Sequence, residues 1–196
     1  MTEKIFSDLI NEDNIESFKD AITRTDYFGF YQDYMLVHVL IKTHKPKSVF
    51  EIGTNMGEGT NIICNATKDE NGIAEVYSLD LPLEQSGLSA QHPRNEGKGD
   101  QVGVKCKFPY VQLFGDSMTF NYDDFPCEAY FVDGEHTLEH VSHETRQVLR
   151  QKPNLIIWHD SDIQGVWEGI LLNLDGREDY ELVRVKDTRI AYAVKK

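Results

Sequence analysis

The chain has 196 residues, of which 40% are apolar, enough to bury the core of a domain of ordinary size. The formal net charge of −13 argues against a nucleic-acid partner, because Lys and Arg contacts to phosphate carry most of that affinity. No apolar run approaches the roughly 20 residues of a membrane-spanning helix, and the first residues lack the apolar stretch of a secretory signal. We therefore expect a cytoplasmic protein with neither a nucleic acid nor a membrane as partner.

The first 45 residues are predicted to form helices. The pattern is helical over 7–22 and again over 31–44. In the second stretch apolar residues recur with the 3.6-residue period of one buried face, at Met35, Leu36, Val39 and Leu40. Pro46 is expected to end this helix, because a proline inside a helix removes a backbone hydrogen bond.

From residue 46 onward, short apolar runs alternate with helical patterns. The runs that resemble strands are 48–52, 75–79, 110–114, 129–132 and 154–158. Helices are predicted between them at 60–67, 137–151 and 163–174. This alternation predicts a parallel sheet with helices on both faces.

The end of the chain has a different pattern. The predicted strands 180–185 and 189–194 are joined by three residues, Lys186 to Thr188, which permit a hairpin but not a crossover. We therefore predict an α/β fold with a seven-stranded, mostly parallel sheet, an antiparallel C-terminal hairpin and a helical N-terminal cover. We expect one domain over 1–196, with N-terminal helices over 1–45 and the core over 46–196.

Polar or small residues follow the end of each of the five parallel strands. They are Gly53, Asp80, Gly115, Asp133 and His159. Ligands of open α/β sheets bind outside the carboxyl ends of the strands. The sequence therefore predicts the functional site at this edge.

The first of these strand ends opens a loop that is rich in glycine. Gly53 and Gly57 allow a tight turn and a close approach of ligand to backbone. The dinucleotide fingerprint is not satisfied, because Asn55 and Glu58 occupy its second and third glycine positions. Glu51 and Glu58 would also repel a pyrophosphate. The loop therefore suits a ligand that has a positive centre and no phosphate.

Asp80 ends the second strand and has two interpretations. It can accept hydrogen bonds from both ribose hydroxyls of a nucleoside, or it can cap the next helix. The glycine loop before it favours the nucleoside.

Three histidines lie close together in the segment that follows the fourth strand, at His136, His140 and His143. A metal site, a catalytic base and the polar face of a helix all fit this spacing. A helix that starts at Thr137 would carry the last two away from the strand edge, by about 5 Å for each turn. We therefore expect His140 and His143 to be polar-face residues, and the absence of an H-E-x-x-H pattern excludes a zincin site.

Five stretches together resemble the successive motifs of class I S-adenosylmethionine-dependent methyltransferases. They are VFEIGTNMGEGT, VYSLD, LFGDS, YFVDGEHTLEHV and IIWHD. The sequence is most similar to the branch with D-G-x-H and H-D motifs, which includes small-molecule and sugar O-methyltransferases. The resemblance implies a Rossmann-like fold and S-adenosyl-L-methionine as cofactor.

The resemblance also implies which residues contact the cofactor. Glu51 and Gly53 would lie near its methionine part, Asp80 on the ribose, and Asp116 and Ser117 near the adenine. The full implied set is Glu51, Gly53, Asn55, Gly57, Asp80, Leu81, Asp116, Ser117 and Asp133.

Metal-dependent members of the wider group place ligands at the ends of the fourth and fifth strands. Carried over, these are Asp133, His159 and Asp160, around a divalent cation such as Mg or Mn. His159 departs from the pattern, because an acid is usual there and imidazole suits Mn, Fe, Ni or Zn better than Mg. The alternative is that Asp133 and Asp160 position His136 and the substrate directly.

The resemblance implies that His136 is the general base, with Asp133 beside it as a second catalytic residue. Methyl transfer to an alcohol requires loss of the hydroxyl proton, and an unperturbed histidine has a pKa of about 6.5. Asp133 and Glu135 are expected to raise the pKa of His136.

The function that we expect is O-methylation of a small hydroxylated acceptor, such as a sugar or polyol. A nicotinamide-dependent oxidoreductase and a non-catalytic cofactor-binding module are the alternatives. Glu58 counts against the oxidoreductase, and the placement of His136 beside Asp133 counts against the module.

Other expectations concern specificity and assembly. The long polar insertion 82–107 is expected to carry acceptor specificity, and the aromatic segment 25–34 to form part of a lid or to pack on the sheet. Cys64, Cys106 and Cys127 are expected to be reduced thiols, and the oligomeric state is left open, with a homodimer as one option.

Overall fold

A computed structural model describes residues 2–21, 31–69, 72–82, 84–85 and 102–196 of the chain. The helices are α1 (Glu12–Ala21), α2 (Tyr31–His44), α3 (Glu58–Thr67), α4 (Leu138–Arg150) and α5 (Gln164–Leu174). The strands are β1 (Thr2–Ile5), β2 (Ser48–Ile52), β3 (Glu75–Asp80), β4 (Val111–Phe114), β5 (Ala129–Val132), β6 (Leu155–Trp158), β7 (Tyr180–Lys186) and β8 (Ala191–Lys195). The described part of the insertion 82–107 is limited to 82, 84–85 and 102–107, and residues 25–30 of the aromatic segment also lie outside the described residues.

The strands form one sheet in the order β1-β7-β8-β6-β5-β2-β3-β4. All neighbours are parallel except the pairs β6–β8 and β7–β8, which are antiparallel. The predicted mixed α/β sheet with an antiparallel C-terminal hairpin is therefore confirmed, and the predicted strand positions agree to within one or two residues.

The prediction of seven strands and a wholly helical N-terminus is wrong at one point. Thr2–Ile5 forms an eighth strand, β1, which pairs in parallel with β7. Its four side chains are exposed or half-buried, so the segment carries no apolar alternation that could reveal it. The helix predicted over 7–22 begins only at Glu12.

Helices cover both faces of the sheet, and the alternation of the strand side chains creates two cores. Val49 of β2 packs in the cluster that contains residues of α1, α2 and α3. Its neighbours Phe50 and Ile52 face the opposite cluster, which contains residues of α4 and α5. Successive side chains of a strand point to opposite faces, so one short apolar run supplies both cores.

The helix predicted over 31–44 has the same bounds in the structure as α2. It ends at His44, two residues before Pro46, and eight of its residues are buried. None of the helices among the described residues is long and apolar enough to cross a membrane.

Candidate active site

Four backbone hydrogen bonds hold the ends of neighbouring parallel strands side by side. The amides of Gly53, Gly115, Asp133 and His159 each donate to a carbonyl at the end of the adjacent strand, over 2.8–3.1 Å. The predicted meeting of these residues at one edge is therefore correct. Because strand ends set their positions, the backbone around the site is fixed by the sheet.

Gly53 lies where only glycine fits. Its φ is +98°, a conformation that side chains strongly disfavour. A Cβ at this position would lie 2.1 Å from the carbonyl oxygen of Asp133. The close approach of the two strand ends, β2 and β5, therefore depends on this glycine.

Glu51 is a buried carboxylate at the end of β2. Thr60 and Ser78 each donate a hydroxyl hydrogen bond of 2.5 Å to its Oε2. Burial raises the pKa of Glu51 to about 8, although these hydrogen bonds oppose the rise. Near neutral pH, and with no cationic ligand bound, Glu51 is therefore mostly uncharged and would repel an anion only weakly.

Asp80 is held by the backbone on both sides. Its Oδ2 accepts a hydrogen bond of 2.6 Å from the amide of Asn55, and its Oδ1 accepts one of 2.7 Å from the amide of Leu81. Asn55 has a φ of +48°, which turns the glycine loop toward the acid. Burial raises the pKa of Asp80, and the backbone hydrogen bonds work against this rise.

A cavity of about 270 Å³ lies along these strand ends. Seven of the nine predicted cofactor residues line it: Gly53, Asn55, Asp80, Leu81, Asp116, Ser117 and Asp133. Glu51 lines an adjoining cavity of about 160 Å³, which shares Gly53 and Asp133 with the first and also contains His136. Gly57 lines neither of these two cavities and instead precedes α3 with a φ of +91°.

His140 also lines the larger cavity, so the expectation that α4 carries it away from the strand edge is wrong. Helix α4 begins at Leu138 with Thr137 as its N-cap, which leaves His140 in the first turn. The hydroxyl of Thr137 lies 2.8 Å from Nδ1 of His140 and fixes the ring there. His143 is one turn further along the helix.

Two acids and two histidines form a cluster where β5 and β6 end. Nε2 of His136 lies 2.8 Å from Oδ2 of Asp160 and 3.9 Å from Oδ1 of Asp133. Nδ1 of His159 lies 3.0 Å from the same Asp160 oxygen and 3.4 Å from the same Asp133 oxygen. The predicted metal-ligating and catalytic residues are therefore brought together.

The acids shift both histidines toward the charged form. Hydrogen bonds to Asp133 and Asp160 raise the pKa of His136 to about 10. The pKa of His136 is raised, as predicted, but the second acid that raises it is Asp160 and not Glu135. Burial acts to lower the pKa of His159, but Asp133, Asp160 and Asp33 outweigh it and raise the pKa to about 12.

Asp33, a buried residue of α2, also belongs to this site, although no motif in the sequence points to it. Its Oδ1 accepts a hydrogen bond of 2.8 Å from the amide of Arg189, and its Oδ2 lies 3.4 Å from Nε2 of His159. One signal could have found it: Asp33 falls on the apolar stripe of α2, three and seven residues before Leu36 and Leu40. An acid on a buried stripe requires a partner.

No motif in the sequence points to Arg189 either, because it lies in the hairpin far from any of them. Its guanidinium forms ion pairs with Asp160 and with Asp162. The arginine contributes a fixed positive charge beside three acids, Asp160, Asp162 and Asp33.

The chemistry of the donor set fits a divalent cation. One ligand atom from each of Asp133, His159 and Asp160 lies within 4.8 Å of the others. Two carboxylates and an imidazole are common ligands of Mn and Zn. Asp160 also pairs with His136 and Arg189, so a cation would compete with both of them for this carboxylate. It would also have to displace the proton that Asp133 and Asp160 stabilise on His159.

A family model described as a methyltransferase domain matches residues 50–161, which is more than half of the chain. By sequence, no curated protein matches the chain.

Solved structures share the fold at low sequence identity. An O-methyltransferase from Bacillus cereus, solved with SAH, is 13% identical at a TM-score of 0.57, over 95% of this chain and 92% of that one. TomG from Streptomyces achromogenes, an O-methyltransferase of tomaymycin synthesis solved with SAM, is 14% identical at a TM-score of 0.57, over 97% and 94%. CalS11, a TDP-rhamnose 3'-O-methyltransferase of calicheamicin biosynthesis, is 12% identical at a TM-score of 0.58, over 98% and 99%.

Proposed function

The chain belongs to the class I S-adenosylmethionine-dependent methyltransferases, and we propose that its reaction is O-methylation of a small hydroxylated acceptor such as a sugar or polyol. The observation that carries this proposal is the position of His136. Its ring lines the smaller cavity with Glu51, Gly53 and Asp133, and this cavity adjoins the larger one that contains Asp80. A base at this junction is suited to activate an acceptor hydroxyl.

The chemistry requires one proton acceptor. When bound, the cofactor supplies a methyl group on a sulfonium, so that the C–S bond breaks as the hydroxyl oxygen forms the new C–O bond. The hydroxyl proton must leave as this oxygen attacks. We assign its acceptance to His136.

The surroundings of His136 orient it for this role. Asp133 and Asp160 hold most of His136 in the charged form at neutral pH, so the ring accepts a proton only from its neutral fraction, which grows as the pH rises toward 10. In that neutral ring, the short contact between Nε2 and Asp160 keeps the proton on Nε2, which leaves Nδ1 as the nitrogen that accepts. Asp133 and Asp160 stabilise the imidazolium that results, as the buried acid does in a catalytic triad. Asp33 acts one step further away, because it holds His159, which contacts both acids.

The acceptor is inferred from a third cavity, of about 410 Å³, which includes Asp33 and Arg189. Three carboxylates and a threonine are among its lining residues, which are Tyr31, Gln32, Asp33, Asp162, Asp187, Thr188 and Arg189. Carboxylates accept hydrogen bonds strongly from hydroxyl groups, so this lining suits an acceptor with several hydroxyls. CalS11, which shares the fold, acts on a sugar.

The test is methyl transfer from labelled S-adenosylmethionine to a panel of sugars, polyols, catechols and amines. His136→Ala is expected to lower kcat by about 10²–10⁴-fold with cofactor affinity nearly unchanged. His143→Ala, on the same helix, is the matched control and is expected to stay within a few-fold of wild type. Near-normal turnover of His136→Ala, or preference for an amine over every hydroxyl acceptor, would contradict the proposal.

We also propose that Asp133, His159 and Asp160 hold a divalent cation, supported by the donor set described above. When bound, such a cation polarises the acceptor hydroxyl and lowers its pKa. The readout is Mn²⁺ titration by calorimetry. Asp133→Asn is expected to abolish binding, whereas Asp123→Asn, at an exposed acid that pairs with Arg150, is expected to leave it unchanged.

Activity gives a second, independent readout for the cation. Wild-type protein treated with EDTA should lose turnover and regain it with Mn²⁺. If it keeps full activity, the cation has no role, and Asp133 and Asp160 serve only to position His136 and the acceptor.

A further inference from the structure

Glu144 of α4 is a buried carboxylate behind the wall of the larger cavity, and the mechanism above does not use it. Its side chain has no exposed surface. It lies directly behind Gly134, where an added Cβ would be 3.1 Å from its Oε1. Gly134 lines the cavity, so the carboxylate is one residue away from a bound ligand.

The two carboxylate oxygens of Glu144 differ in their contacts. Oε1 accepts a hydrogen bond of 2.6 Å from the hydroxyl of Ser117. Oε2 has no hydrogen-bond partner among the residues that the structure describes. Burying a carboxylate with one oxygen unsatisfied costs free energy. The one hydrogen bond that Glu144 does accept, from Ser117, suggests what the buried acid is for.

The contact with Glu144 determines which hydrogen bonds the Ser117 hydroxyl can still form. A serine hydroxyl has one proton to donate and two lone pairs that accept. Since the proton is donated to Glu144, Ser117 can only accept hydrogen bonds from a ligand in the cavity that it lines. Asp116, its neighbour in the same lining, adds a carboxylate, one oxygen of which accepts from the amide of Met118, so the side chains of Ser117 and Asp116 can accept hydrogen bonds from a ligand but cannot donate them.

We propose that Glu144 is a positioning residue that fixes Ser117 as a hydrogen-bond acceptor and thereby makes the cofactor pocket select a 6-aminopurine over a 6-oxopurine. An exocyclic amino group donates to Ser117, whereas a carbonyl at the same place would face its lone pairs. Sites built to pair with one polar group reject analogues that cannot pair. The inference rests on the proposed function, because it requires a nucleoside cofactor in this cavity with its purine beside Ser117, the position that the resemblance to the family implies for the adenine.

The probes are S-adenosylhomocysteine and S-inosylhomocysteine, which differ in the purine ring at position 6. Calorimetry at about pH 8 is expected to show that wild type prefers the adenosyl ligand by about 10-fold or more. In Glu144→Gln the new amide can donate to Ser117 and release its proton toward the cavity, so the preference should fall to within about 3-fold. Glu139→Gln, at an exposed acid of the same helix, is the matched control and should keep the wild-type preference.

A pH series separates this role from a structural one. Burial raises the pKa of Glu144 to about 7, and the hydrogen bond from Ser117 opposes this rise. Among the charges that face Glu144, Glu135 and Asp116 raise its pKa further, whereas His136 lowers it. The phenol of Tyr122 also lies within the electrostatic reach of Glu144. Below this pH the protonated acid can donate to Ser117, so wild-type preference should be smaller at about pH 6 than at about pH 8. In Glu144→Gln the preference should not change with pH.

The outcomes are distinct. Equal affinity of wild type for both ligands, or full preference in Glu144→Gln, would overturn the inference while leaving the proposed function intact. Binding of neither ligand by wild type would refute the proposed function and the inference together. If Glu144→Gln does not fold, Ser117→Ala and the wild-type pH series serve instead. Ser117→Ala should reduce the preference, and a wild-type preference that is the same at about pH 6 and about pH 8 would overturn the role of Glu144.

Discussion

Substitution of Gly53 by alanine tests whether the close approach of β2 and β5 builds the site. Two costs follow from the structure. A side chain at a φ of +98° costs at least about 1–2 kcal/mol, the penalty of the left-handed region. The new Cβ would lie 2.1 Å from the carbonyl oxygen of Asp133, although carbon and oxygen normally stay about 3.3 Å apart. Relief of this overlap costs about 1–3 kcal/mol, as in overpacked cores.

The expected total loss of unfolding free energy is therefore about 2–5 kcal/mol, measured by urea denaturation. Gly176→Ala is the matched control, because its φ is +76° but nothing lies within 4 Å of an added Cβ. It should lose only the conformational cost of about 1–2 kcal/mol. The folded Gly53→Ala protein should also bind S-adenosylhomocysteine at least about 10-fold more weakly, because Asp133 must move. Equal destabilisation by the two substitutions would refute the reasoning.

Two further predictions concern cofactor binding and acid stability. Asp80→Ala should weaken the binding of S-adenosylhomocysteine by about 1.5–3 kcal/mol, since two ribose hydroxyls would lose a charged acceptor. Calorimetry measures this change, and an unchanged affinity in the folded variant would show that Asp80 is not part of the site. His38 is fully buried, and this burial, together with the charge of Lys42, lowers its pKa to about 4, below the 6.5 of the unfolded chain. The unfolded state therefore binds the proton more readily, so unfolding free energy should fall by about 3 kcal/mol as the pH drops from 6.5 to 4. His38→Gln should flatten this part of the pH profile, and an equally steep fall in the variant would assign the acid lability to other groups.

The site residues that lie at the ends of strands were predictable from the sequence. The apolar runs that form β2 and β5 are local, and the polar residue that ends each run, such as Asp80 or Asp133, must lie at the carboxyl edge of a parallel sheet. Most of the candidate site follows from this rule, because strand ends carry it. Seven of the nine predicted cofactor residues line the cavity for that reason.

The tertiary structure decided what depends on contacts between distant segments. Strand β1 exists because β7 offers it an edge, and its own four residues carry no pattern. Asp33 reaches Arg189 across 156 residues of sequence, and only the packing of α2 against the sheet brings them together. His140 lines the cavity and Glu144 lies behind its wall because the N-cap at Thr137 sets where α4 begins and hence how its faces are turned. The sequence by itself therefore shows which chemical groups are present at the strand ends. Which side chains those groups contact depends on how the helices are rotated and how the strands pair, and these are properties of the packed chain.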